Sequence, residues 1–417
     1  MSTDDRPTDP DSIAVHGTHH PDFAAVRREF ERNFAERGEL GAAVVVMVDG
    51  ERVVDLWGGS VAAPREDRPA ADWQPDTLVT VFSCTKAATA ACLHLLADRG
   101  EVDLQTPLAD IWPELLAATT PAANGPTRVH MALDHSLGLP AVRRPLGPHD
   151  CVDWDTMVAA LEATEPWWTP GEANGYHMLT FGWTVGEIVR RVSGMSLGEY
   201  FRTQIAEPVG ADFHIGLDRA EHHRMAKVSA WRPEPGWSSS FTEALVADRE
   251  GLQAKALLNG GGFSANDPAV WEAEIGAANG TASARGLATF YRPLAANDSS
   301  LLSPESIERL ARPTTISEID RTLLVRTRFG EGFMLSMDNR DQPAGQRDSA
   351  VIGAGAFGHV GAGGSIGFAD PSAGLSFAYV MNQQGPGILL NERGQSLVDA
   401  TYRSLGFTPG ADGSWTR

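Results

Sequence analysis

The chain has 417 residues, 42% of them hydrophobic and 21% charged, which is enough apolar material for a large core or two packed domains and excludes disorder as the dominant state. Its 34 Lys and Arg stand against 54 Asp and Glu, a formal net charge of −20 that repels phosphate backbones and anionic membrane surfaces, so neither nucleic acid nor a membrane is an expected partner. The 43 glycines and 26 prolines are scattered without a period, which excludes collagen-like and low-complexity chains. Residues 1–20 read as a frayed tail. From Phe23 the apolar positions Val26, Phe30 and Phe34 recur at helical spacing and stop at Gly38. Residues 44–48, the pair Asp49-Gly50 and residues 52–56 form a strand, a two-residue turn of the type I′ kind and a second strand that ends at Trp57-Gly58-Gly59.

Residues 77–82 read as a short extended run leading into 84–99, an Ala/Leu-rich helix with Gly100 as its stop. Between 107 and 284 the pattern is helical stretches broken by Pro and Gly, among them 157–163 and 184–192. Extended signals return at 332–337, 357–360, 365–370 and 375–381, and the turn Pro371-Ser372-Ala373-Gly374 separates the last two. A closing helix spans about 395–405. The pattern predicts an α/β domain built from 21–106 and 285–417, its sheet assembled from both chain ends, with a mainly helical domain over 107–284 inserted between them. Cys84, Cys92 and Cys151 form neither an even disulfide framework nor a metal-ligand spacing, so a reducing compartment is expected. The N-terminus is acidic and polar, and no stretch approaches the ~20 apolar residues of a membrane span, so a cytoplasmic protein is expected.

Ser83-Cys84-Thr85-Lys86 opens the Ala/Leu-rich helix. Residues three apart share a helical face, so the Ser83 hydroxyl and the Lys86 amine can meet. A serine becomes a nucleophile when a base takes its proton, and lysine serves if burial keeps its amine neutral. The positive end of the helix dipole would help on both counts. Chance occurrence of the spacing is the bland alternative, and placement after a strand, at a helix start, weighs against it.

Several motifs occur in order: Val54-Asp55-Leu56-Trp57-Gly58-Gly59, the Ser83 to Lys86 tetrad, His135-Ser136-Leu137-Gly138-Leu139-Pro140, Trp168-Thr169-Pro170-Gly171 followed by Tyr176, Gly182-Trp183, and Gly358-His359-Val360-Gly361. Together they resemble the serine β-lactamase and penicillin-binding-protein-like hydrolases, and within them the family VIII carboxylesterases related to class C β-lactamases. The resemblance runs over nearly the whole chain. It implies a β-lactamase-like α/β (α+β) fold, an antiparallel sheet flanked by helices plus the inserted helical domain. It further implies an acyl-enzyme on Ser83, Tyr176 sharing proton transfer with Lys86, the N–H groups of Ser83 and Ala362 as an oxyanion hole, and no metal or organic cofactor.

The sequence departs from that family's β-lactamases in two places. Tyr176-His177-Met178 lacks the asparagine usual two places after the tyrosine, and His359-Val360-Gly361 replaces a Lys-Thr-Gly. Losing that lysine removes the cation that would grip a carboxylate, so an uncharged small-molecule ester, short-chain or aryl, is the expected substrate. His177, His359, Val360 and Gly361 are the expected substrate-binding positions, and His359 reads equally as a packed strand histidine. Trp167, Trp168, Trp231, Trp237 and Trp271 are candidates for an acyl or aryl pocket or for plain core. Gly363-Gly364-Ser365-Ile366-Gly367 matches the nucleophile-elbow pattern but lacks the following helix. The rival activities are acyl transfer to an acceptor, weak β-lactamase or D-amino-acid peptidase action and, from a different class, non-catalytic ligand sensing.

Overall fold

The computed structural model describes residues 13–63, 70–296 and 299–417. Asp49 and Gly50 both take positive φ, 49° and 82°, the twist-matched turn that an Asp-Gly pair permits. The turn joins β2 (Gly41–Val48) to β3 (Glu51–Gly59) in one antiparallel hairpin. Outside it lies β1 (Val15–His19), paired with residues 54–58 as an edge strand. The expected tail is thereby corrected: residues 15–19 are held by a ladder, and 1–12 lie outside the described residues.

The C-terminal part supplies β4 (Thr315–Ser317), β5 (Thr327–Phe329), β6 (Met334–Leu335), β7 (Phe357–Val360), β8 (Ile366–Asp370) and β9 (Leu375–Met381). The nine strands run in the order β1-β3-β2-β9-β8-β7-β6-β5-β4. The two chain ends meet at the seam where Leu375 to Met381 pair antiparallel with Val48 to Ala42. The expected strand over 77–82 shortens to Val79–Thr80, because Phe82–Cys84 tightens into a 3₁₀ turn. Residues 107–284 contain short helices and irregular segments together with the two-residue strands Phe213–His214 and Thr281–Ala282.

Side chains alternate across the sheet, so each strand serves two layers. Val44, Val46, Phe377 and Tyr379 pack with Val26 and Phe30 of α1 (Ala24–Glu36). Ala43, Val45, Ala378 and Val380 join the other core, against Leu287 and Tyr291 of the helix Ala284–Ala296. The Ala/Leu-rich segment forms α2 (Thr85–Asp98), buried at every residue from Thr85 to Leu96. A helix apolar on all sides belongs inside a molecule, and alanine gives it both propensity and close approach. No helix of the described residues is long and apolar enough to cross a membrane.

One buried ion pair locks the N-terminal layer. Arg393, on the closing helix Glu392–Ser404, lies 3.0 Å from Glu39, and the Tyr379 hydroxyl donates to the same carboxylate. Burial pushes the Glu39 carboxyl above its ordinary range, against the pull of Arg393. Removing one partner of such a pair strands a desolvated charge, so Arg393→Met should cost about 3–5 kcal/mol. Urea unfolding of the variant beside the parent measures this directly.

Candidate active site

Ser83 sits in the tight turn between Val79–Thr80 and α2. Phe82 adopts φ 47°, a left-handed conformation that costs a bulky residue on the order of 1–3 kcal/mol. The turn is held by the Val81 N–H donating to Gly280 O at 2.8 Å and by Thr85 Oγ1, which accepts from the Gly280 N–H at 2.9 Å. Five non-glycine residues among those described have positive φ, and two of them, Phe82 and His135, stand at this site, Phe82 in the Ser83 turn and His135 against Tyr176. Strain concentrated in this way marks a place where geometry is imposed by the surroundings.

Lys86 lies one turn along, fully buried, with its Nζ 3.0 Å from Ser83 Oγ. The amine donates to Met178 O at 2.7 Å and to Ala277 O at 3.0 Å. All three contacts are to neutral oxygens, so no negative charge offsets desolvation, and burial holds its pKa well below that of an ordinary lysine. A neutral amine has two N–H groups and one lone pair. With both N–H directions taken by carbonyls, the remaining direction faces Ser83.

Tyr176 closes the other side. Its side chain lines the same cavity as Ser83, and burial raises its pKa. The Lys86 Nζ stands 4.7 Å from its ring centroid. Its backbone N–H donates to both oxygens of Asp320, at 3.0 and 3.1 Å. Asp320 is fully buried and also accepts from the N–H groups of Thr322 and Leu323, each at 2.8 Å. Burial pushes its carboxyl up to about 6 despite those donors.

Three buried histidines, His135, His177 and His359, complete this shell. His177 donates from Nδ1 to Gly175 O at 2.8 Å and accepts the Leu139 N–H on Nε2 at 3.0 Å. Both ring nitrogens are spent on backbone, so its expected substrate contact is corrected to a pin between two loops. His359 donates from Nδ1 to Val360 O at 2.7 Å, leaving Nε2 facing the Tyr176 hydroxyl at 3.5 Å. Of its two expected readings, substrate contact or packed strand histidine, this geometry fits the second. The His135 ring packs tilted against Tyr176, with centroids 4.9 Å apart, and accepts the His177 N–H at 3.2 Å. Burial first, and Lys86 second, draws the His359 pKa down to about 3, and burial takes His177 to about 4. The shell therefore adds polarity without adding charge.

The end of β7 closes over Ser83. A side chain at Gly361 would come within 2.3 Å of Val81 O, so only glycine lets this strand end approach the serine turn. Val360 and Ala362 then line the same cavity as Ser83 and Tyr176. That cavity has a volume of about 640 Å³. Cys84 points the other way: its thiol donates to His359 O at 3.2 Å, and burial pushes its pKa up to about 12. Ser365 lies in the β7–β8 turn and is fully buried.

A family model for beta-lactamases matches residues 26–399. The chain belongs to the beta-lactamase family. Among relatives of this beta-lactamase-family hydrolase, the Mycobacterium tuberculosis protein named esterase/beta-lactamase LipL is 34% identical over 381 residues, covering 88% of this chain and 83% of its own. The crystal structure of a family VIII carboxylesterase superposes with a TM-score of 0.79 at 35% identity, covering 94% of this chain and 100% of the other. A penicillin-binding-protein homologue from Caulobacter crescentus gives 0.79 at 36% identity, with the same coverage.

Within this beta-lactamase-family chain the motifs divide by task. Asp55 of the Val54 to Gly59 motif is structural: it pairs with Arg285 at 2.9 Å. Of the five tryptophans, Trp231 and Trp237 line the cavity. Trp167 stacks under Arg143 at 4.0 Å, Trp271 under Lys227 at 4.0 Å, and Trp168 donates to Ser136 O. Sequence reasoning missed Asp320 and the role of His135. A lone Asp in Ser317-Glu318-Ile319-Asp320-Arg321 carries no local signal, since its partner lies 144 positions away. His135 stood in a recognised motif, yet its task depends on contacts that no spacing reveals.

Proposed function

We propose that this protein hydrolyses uncharged carboxylic esters through an acyl-enzyme on Ser83. The observation that carries the reading is the buried amine of Lys86, held by two carbonyls with its free direction on Ser83 Oγ. Ser83 Oγ would attack the ester carbonyl carbon while its proton passes to Lys86 Nζ, with the Tyr176 phenol sharing the transfer. The carbonyls of Met178 and Ala277 that hold the neutral amine also accept from the ammonium it becomes. The developing oxyanion would take the N–H groups of Ser83 and Ala362. Collapse breaks the ester C–O bond, and the proton returns to the departing alkoxide. Water then attacks the acyl carbon with the same pair as base, releasing the acid and restoring Ser83.

Two features favour an uncharged ester over a β-lactam or peptide. None of the residues lining the cavity carries a formal charge, and His359, standing where β-lactamases have a lysine, is held neutral. A buried carboxylate would find no cation there. The test is intact mass spectrometry after treatment with an ester-like, serine-reactive phosphonate, followed by peptide mapping. The expected result is one adduct, on Ser83, with Ser365→Ala labelled and active like the parent. An adduct on Ser365, or ester hydrolysis surviving in Ser83→Ala, would overturn the assignment.

A further inference from the structure

We infer that the ester taken by this site carries an extended apolar chain, and that the segment 231–263 forms a flap that holds it; the inference rests on the esterase reading above. The flap comprises the Trp231–Trp237 pair, with ring centroids 4.7 Å apart, then the helices Ser240–Ala247 and Leu252–Leu258. From it Trp231, Trp237, Phe241, Leu257, Leu258 and Phe263 line the cavity that contains Ser83. Two of its polar lining residues, Ser239 and Thr242, are spent on each other in a reciprocal helix cap. About 640 Å³ falls within the range of small-molecule clefts, roughly 300–1,000 Å³, well beyond what an acetyl group occupies.

A second observation comes from the surface. Among the described residues eight large hydrophobics are exposed, and four are on this flap: Trp237 (37%), Val246 (64%), Leu257 (48%) and Leu258 (58%). Leu257 and Leu258 are at once cavity-lining and solvent-exposed, so they stand at its mouth. The helix end that carries them is anchored: Asn259 donates to Val142 O and Arg144 O and accepts from the Leu146 N–H. Farther along, Gln253 donates to Arg321 O and Thr322 O, and the Ser240 N–H to Gly345 O. Apolar surface held open at the mouth of an apolar cleft is covered when a chain lies across it. The uncharged lining, on a protein of net charge −20, selects a neutral ester and disfavours a free fatty acid or a phosphorylated thioester.

The test uses the full-length protein with p-nitrophenyl esters from acetate to decanoate, and separately with acetate esters of alcohols of increasing length. The first series probes a chain on the acyl side and the second a chain on the leaving group. kcat/KM is expected to rise about three- to fourfold per added methylene in one of the series until the cavity is filled. In a Leu257→Ser/Leu258→Ser double variant the octanoate-to-acetate ratio should fall at least about tenfold. Val246→Ser, exposed and outside the cavity lining, should keep the parent ratio. Both leucines are exposed, so the double change does not strip the core. Acetate hydrolysis with Ser83 labelled, but no rise with length in either series, would overturn the chain site and leave the esterase reading standing. No hydrolysis of any ester, with Ser83 unlabelled, would overturn the esterase reading itself.

Discussion

Lys86→Met is expected to fold normally and to lose at least about a thousandfold in kcat/KM for ester hydrolysis. Methionine keeps the volume of the lysine stem in the core and removes only the amine, so the loss would isolate the proton acceptor from packing. Ser83→Ala should lose as much or more, and the double variant should be no worse than the weaker single, because the two groups act in one step. Thermal unfolding beside the parent checks that each variant is folded. The pH dependence follows from the same geometry. Burial lowers the Lys86 pKa well below 10.5, so the free base forms at a lower pH than it does for an exposed lysine. Activity should fall on the acid side, as the amine is protonated, at a pH far below that of an exposed lysine. A rate that climbs only toward the titration range of ordinary lysines would sink the assignment.

Asp320→Asn is expected to lower kcat about 10- to 100-fold with KM near the parent value. Both carboxylate oxygens accept the Tyr176 N–H. An amide puts an NH2 against a donor at one of them, which shifts the backbone carrying the phenol without touching the substrate cavity. The stability readout has a defined sign. Asp320 has a folded-state pKa of about 6 against an ordinary 3.8, so its contribution to parent stability is fully present below 3.8 and is lost as pH rises through about 6. Asparagine does not titrate. Any stability deficit of the variant should therefore shrink across that window, as measured by urea unfolding at each pH. A deficit that grows with pH, or a KM effect without a kcat effect, would remove Asp320 from the positioning of Tyr176.

What could be read from sequence was what is local in sequence. The Asp49-Gly50 turn, α2 and the three-residue spacing of Ser83 and Lys86 each depend on neighbours within a few positions, and each stands where its residues placed it. The short strands β4 and β5 carry little signal, since three residues cannot display an alternation. The histidines show the harder limit. Their motifs suggest substrate contact for His177 and, beside a packed-strand reading, for His359, whereas their ring nitrogens face Gly175, Leu139, Val360 and Tyr176. Side-chain direction is set by burial and partner choice, and spacing holds no record of it. Asp320 was invisible for the same reason.

The pairing of β2 with β9 has a consequence for biosynthesis. A hairpin completed near residue 59 must wait for residues 375–381 before its inner edge is satisfied, a separation of more than three hundred positions that makes folding slow and strongly non-local. While the ribosome works through the intervening chain, the inner edge of β2 is open to non-native pairing. Ala362, which lines the Ser83 cavity, also emerges late, so the cavity is assembled near the end of translation, and truncations ahead of residue 375 are expected to leave no partly active product.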